Sequence, residues 1–402
     1  MTMFGPGGST LRRRAAIFVL ATLCGWSLAP QPAASAGQGS AAVPVGSGSR
    51  TEAAAAPGLY AGGTFTRAGG VAVDHLATWN GSAWSRPGGS STAGPDGSVT
   101  ALTVYDGDLI AAGSFLTAGG VRVNGIARWD GTAWFPLTGS SGTGVMTTPL
   151  DFVDALAVFD GDLIVAGQFL RAGGVTVNHI ARWDGSEWFP LTGSGGTGVN
   201  VPSVWDLAVH GGALIVGGGF TQAGGTAANG IARWTGSAWS TLGTGFNGDV
   251  LALTVFDGSL VATGGFTQAG GSAANYVAEW DGSAWSPLGA GLDAEGRALT
   301  VYGGSLVVGG TFTEAGGAPA NYVARWSGSA WSALAGPSGT GTEDIVVSLA
   351  VHGGRLIAGG FFGRAGGVVV NQVAGWDGTA WSPLAGPAGA GTDAGVYALH
   401  TV

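Results

Sequence analysis

Between residues 99 and 137 the apolar positions fall into four short runs, each closed by turn-forming residues. Residues 99–105, VTALTVY, are rich in β-branched side chains and end at Asp106-Gly107, a pair suited to a two-residue hairpin. Residues 109–113 form a second run, LIAAG, and a loop carrying Ala-Gly-Gly leads on to Asn124. Residues 126–129, IARW, alternate, with Ile126 and Arg128 on one face and Ala127 and Trp129 on the other. Asp130-Gly131 marks another tight turn, and residues 133–137 supply the fourth run. The spacing predicts four antiparallel strands, A to D, each short. Outside the N-terminal region no segment shows the period of an amphipathic helix.

This pattern repeats. The Ala-Gly-Gly triplet, then Asn or Asp, then two tryptophans five residues apart recur seven times, beginning with Trp79/Trp84 and ending with Trp376/Trp381. The preceding phenylalanines, from Phe65 to Phe362, are 46 to 54 residues apart. Four short strands at that period describe a propeller blade; the runner-up, a parallel β-helix, has shorter coils and no need of two hairpins per repeat. The first unit opens at Leu59 with strand B, and residues 396–402, VYALHTV, read as a strand A with nothing following. The fold expected is all-β: a seven-bladed propeller over residues 58–402, closed by pairing of the C-terminal strand with the N-terminal blade.

The glycine pairs after strand B, such as Gly217-Gly218 and Gly309-Gly310, followed by an aromatic residue and Trp, resemble kelch and galactose-oxidase-type propellers. The fuller wording, GGTFTxAGGxxxNxxARWxGSAW, is similar to repeats of secreted bacterial propellers and of the Rax2-like cortical polarity markers of fungi. The resemblance spans roughly residues 58–402 and implies interaction at the cell surface or outside the cell, with no shared chemistry. Galactose-oxidase chemistry does not transfer. It needs a copper site with a cysteine-crosslinked tyrosine, and the single cysteine, Cys24, lies in the N-terminal region.

That region changes the picture of where the chain works. Arg12, Arg13 and Arg14 precede a short apolar stretch, and Ala34-Ser35-Ala36 fits a small-residue cleavage site, so residues 1–36 read as a signal peptide. The apolar stretch is short for a membrane span. Residues 37–57, rich in Gly, Ala, Ser and Pro, read as a flexible linker. Removing residues 1–36 takes the formal charge from −9 to −12 and leaves neither lysine nor thiol. Such a surface speaks against nucleic acid and anionic membranes, and excludes disulfides and cysteine nucleophiles. The expected product is exported to the periplasm, the cell surface or the medium, monomeric, without membrane span or cofactor.

The motifs that could carry chemistry mostly reduce to structure. Residues 193–198, GSGGTG, match a dinucleotide fingerprint but lack the strand before and helix after that it needs. Asp106/Asp108 and Asp160/Asp162 have calcium-like spacing, yet the equivalent turns Gly211-Gly212 and Gly303-Gly304 lack carboxylates. Asp74, Asn124, Asn178, Asn229, Asn275, Asn321 and Asn371 recur in every unit, as structural residues do, and both types tolerate a left-handed turn. The five histidines do not cluster, and no metal site is expected.

Strand alternation locates a candidate site. The A–B and C–D turns are tight and share one end of each blade, so the B–C and D–A connections gather at the other. The second position of strand A lies near that face: Thr100, Asp154, Trp205, Leu251, Arg297, Val347 and Tyr397. Asp154, Trp205, Arg297 and Tyr397 are the candidate ligand contacts, suited to a sugar or small polar molecule. Two functions are expected to compete: a non-catalytic binding protein for a protein or glycan ligand, and a secreted lyase, glycosidase or oxidase acting on carbohydrate.

Overall fold

Asp106 and Gly107 both adopt left-handed φ, 52° and 83°, which closes the first A–B hairpin with the twist its strands require. In this computed structural model the described residues are 55–89, 93–148, 150–201 and 203–402. The expected signal peptide and nearly all of the expected linker lie outside them. Of the linker's last residues, Ala55 is buried and donates its N–H to the Gly107 carbonyl at 3.1 Å.

Seven four-stranded antiparallel sheets form the ring. Blade two is typical: Ser98–Tyr105, Asp108–Ser114, Ile126–Trp129 and Trp134–Pro136, from the axis outwards. Blade one is assembled from both ends of the ring, with Val396–Thr401 innermost against Leu59–Gly63. The seven-bladed propeller and its closure are therefore as the repeat predicts. The innermost strands contact one another all round the axis, with Val396–Thr401 touching strands of both blade seven and blade two.

The core lies between blades. Leu156 and Val165 of blade three pack with Ile110 of blade two, and at the closure Leu59 and Phe65 pack with Ile357 and Leu384 of blade seven. Each tryptophan pair is tilted at centroid distances of 5.0–5.4 Å. The second indole of a pair also reaches back: Trp188 Nε1 donates to the Leu137 carbonyl at 3.3 Å, and Trp84 Nε1 to the Leu384 carbonyl at 2.9 Å. The tryptophans thus pack and hydrogen-bond adjacent blades, across the closure as elsewhere.

The long-connection face is more ordered than expected. The Ala-Gly-Gly segment is not a plain loop but a two-stranded arm, as where Thr117–Ala118 pairs Val121–Arg122 around Gly119 and Gly120. Both glycines have positive φ, 60° and 77°, which side-chain-bearing residues rarely sustain. Residues 193–198, the fingerprint match, fall in another such ribbon, Thr192–Gly193 against Gly196–Thr197.

Arms are then clamped, each to the D–A connection that enters its own blade. Asp393 accepts the N–H groups of Thr66 and Arg67 at 2.8 and 2.9 Å, as Asp96 does from Leu116 and Thr117. Asn200 and Asn247 do the same through their side-chain oxygens at the entries to blades four and five.

Candidate functional site

A β-bulge near the start of every innermost strand leaves one residue without a direct partner. Those residues are Thr100, Asp154, Trp205, Leu251, Arg297, Val347 and Tyr397, the seven positions derived from strand alternation. A bulge puts two residues opposite one and re-aims the extra side chain, a device common at barrel rims and beside active sites. All seven lie at the end of the ring where the long connections emerge.

The seven do not act alike. Trp205 and Arg297 line one open cleft of about 450 Å³ spanning blades four to six, with Leu251 between them. Asp154 and Tyr397 do not line it. Asp154 is 1% exposed, and burial pushes its carboxyl well above the usual range. Tyr397, of blade one, lies against Phe361 of blade seven with ring centroids 5.5 Å apart. The Thr100 hydroxyl donates to the Val153 carbonyl of the next blade.

Two acidic residues that the alternation argument passed over complete the cleft. Asp249 and Glu295 each stand two residues before a bulge, where the other blades have Ser98, Phe152, Ser203, Ile345 and Gly395. The Glu295 carboxylate accepts from Arg297 at 2.6 Å. Burial, and secondarily the charge of Glu295, raise the Asp249 carboxyl above its ordinary value. Arg297 is 7% exposed, and its Nε and one terminal nitrogen, like Trp205 Nε1, have no hydrogen-bond partner among the described residues.

Room for this group comes from glycine. The residue before the repeat phenylalanine is Thr64, Ser114, Gln168, Gly219, Gly265, Thr311 or Phe361 around the ring. Only blades four and five have glycine there. A Cβ on Gly219 would stand 2.7 Å from Asp249 Oδ1, and one on Gly265 would stand 3.5 Å from Glu295 Oε1. The signal was present in the sequence as a column of the repeat, but it acquires meaning only when adjacent blades are superposed.

The remaining motifs are engaged elsewhere. Asn124, Asn178 and Asn321 have φ near 52°, and each donates its side-chain amide to a backbone carbonyl, Thr143 in the first case at 3.1 Å. Asp108 pairs with Arg128 at 2.7 Å. His210 Nε2 lies 3.1 Å from the Gly258 carbonyl oxygen. No group of three or more His, Cys, Asp or Glu among the described residues is arranged to hold a metal. No helix among them is long and apolar enough to cross a membrane.

Set beside known proteins, the chain is a β-propeller with a short family match. A model described as "Domain of unknown function (DUF5122) beta-propeller" matches residues 160–183 and 304–325, the B-to-C portions of blades three and six. No curated protein matches at significance. Among solved structures, the computationally designed Ika8 protein is 16% identical, with a TM-score of 0.44, 76% of this chain covered and 90% of that one. An extracellular domain assigned to a one component system of B. thetaiotaomicron is 10% identical, with a TM-score of 0.45, and 75% of this chain covers 37% of it.

Proposed function

We propose that this is an exported, non-catalytic propeller that binds a glycan, in the cleft of blades four to six, at the cell surface or outside the cell. One observation carries the reading: a monotonous ring breaks its repetition along a single arc. There glycine replaces side chains, and an indole, two carboxylates and a buried guanidinium converge. An aromatic wall with a few fixed polar groups suits a sugar, whose faces are apolar and whose edge hydroxyls both donate and accept. Arg12 to Arg14, the apolar stretch and Ala34-Ser35-Ala36 support export, with mature protein starting near Gly37. The kelch-like and Rax2-like wording of the repeat supports a surface interaction role.

The test is a saccharide array probed with residues 37–402. Binding that falls at least tenfold in Trp205→Ala and Arg297→Ala, with both variants folded, supports the reading. Unchanged binding in both removes the site, and N-terminal sequencing that finds Met1 on cytosolic protein removes export.

A second reading is favoured by the Asp249–Glu295 pair. Two interacting carboxylates, one with a raised pKa, can divide acid and base roles in glycoside cleavage. On that reading Asp249→Asn retains saccharide binding while abolishing turnover. A bound oligosaccharide recovered intact after long incubation excludes it.

A further inference from the structure

Resting on the glycan-binding reading, we infer that the cleft discriminates by charge, accepting neutral and amine-bearing sugars and rejecting anionic ones. In it, hydroxyl or ammonium groups of the sugar donate to Asp249 and Glu295 while an apolar sugar face lies on Trp205.

Gly219 and Gly265 leave space that Thr64, Gln168 or Phe361 occupies in other blades, and the two carboxylates extend over that space. Each acid therefore comes from one blade and rests on the glycine of the blade before. That places two acceptors side by side along the cleft, where neighbouring hydroxyls of a pyranose would meet them. Carboxylates are acceptor-only when ionised, so they favour ligands rich in donors.

Arg297 fixes this arrangement instead of reversing it. Its guanidinium is nine-tenths buried and spends one nitrogen on Glu295 at 2.6 Å, while its two unpartnered nitrogens expose almost no surface from which to meet an incoming anion. It thereby holds that carboxylate in one orientation and offsets one of the two negative charges. The other carboxylate is left uncompensated: Asp249 is exposed in the cleft, has no ion pair among the described residues, and feels the charge of Glu295. A uronate or sulfate entering here meets like charge at short range, which costs affinity and association rate. An ammonium meets two carboxylates and an indole, a combination that also attracts cations through the ring face.

The experiment compares neutral glucose oligomers, glucosamine oligomers and galacturonate oligomers of equal length, by calorimetry at low salt on residues 37–402. Galacturonate is expected to bind at least about tenfold more weakly than either of the others. In Asp249→Asn the gap between glucosamine and galacturonate should narrow about tenfold, while Arg297 keeps its partner. Galacturonate binding as tightly as the neutral oligomer, or a gap unaltered in Asp249→Asn, overturns the charge selection while leaving glycan binding standing. If no oligomer binds, both the reading and this inference fall. Gly265→Thr, the residue present in blades one and six, serves as the blocking control: it should abolish binding of all three with the melting temperature retained.

Discussion

The Asp249 carboxylate lies against the bare backbone of Gly219, one blade away, with Oδ1 2.7 Å from where a Cβ would stand. No other side chain could occupy position 219 without moving that acid. The obstacle is the far end of a flexible side chain, and Gly219 has no left-handed φ to lose, so the backbone tolerates substitution. Gly219→Thr should therefore displace Asp249 and lose ligand affinity at least tenfold, while changing stability by less than roughly 1 kcal/mol. Thermal melting alongside binding checks this. A variant that binds as wild type shows that the cleft does not depend on the glycine.

The same pair explains what could and could not be foreseen. The strands, hairpins and tryptophan pairs were legible because each recurs six or seven times, and the alternation of IARW or the turn at Asp106-Gly107 carries its own physics. The bulge positions were legible by register, so the sequence already offered Trp205 and Arg297, which line the cleft, as candidates. Asp249 and Glu295 were not, because their significance lies in contacts across blades with Gly219 and Gly265, some thirty residues away in sequence. Alternation along one strand carries no information on what the neighbouring blade leaves empty. Equally, it did not separate Asp154 and Tyr397 from the cleft, since all four share one register position.

Closure makes the whole ring depend on its last strand. Val396 is fully buried, Leu399 is 3% exposed, and Leu399 sits opposite Ala61 in the register that joins the two termini. Deleting residues 396–402 should abolish cooperative unfolding, because blade one would expose an unpaired apolar edge. Leu399→Ala gives the graded version, costing about 2–5 kcal/mol. Chemical denaturation followed by tryptophan fluorescence reads both, and a truncated protein that melts like the full chain refutes closure by this strand.

Acid should unpick the clamps between arms and connections. Burial alone would raise the carboxyls of Asp96, Asp293 and Asp393, but the N–H and hydroxyl groups donated to them outweigh it and hold all three below the ordinary value. In the exposed C–D turn, the N–H groups of Ala380 and Thr379 hold Asp377 at about 2. A depressed folded pKa contributes stability above the unfolded value of roughly 3.9 and loses it as pH falls through the folded one. Stability should thus drop steeply from about pH 4 towards pH 2. Asn200 and Asn247 show that an amide oxygen can hold the same N–H groups. The triple variant Asp96→Asn, Asp293→Asn, Asp393→Asn should accordingly melt near wild type at pH 7 and fall less by pH 3. Identical pH profiles would show that the clamps do not govern acid stability.

Asp154 should behave in the opposite sense. It occupies the bulge of blade three, is 1% exposed, and its Oδ2 has no hydrogen-bond partner among the described residues. Burial raises its folded pKa, so ionisation is harder in the ring than in the unfolded chain. Below the unfolded value of roughly 3.9 both states carry the proton and nothing is lost. As pH climbs through the raised folded value, the folded state must either keep a proton from solvent or bury a charge, and stability declines. Asp154→Asn removes that liability with little change in volume. It should stabilise the ring by about 1–3 kcal/mol at pH 8, with the gain vanishing near pH 4. Urea unfolding at pH 4, 6 and 8 measures the difference. A gain that is the same at every pH, or a loss at pH 8, would mean that the carboxyl has a partner and a use in the ring. Saccharide binding by the same variant then separates its roles: unchanged affinity leaves Asp154 as a constituent of the ring, and a tenfold loss makes it part of the site.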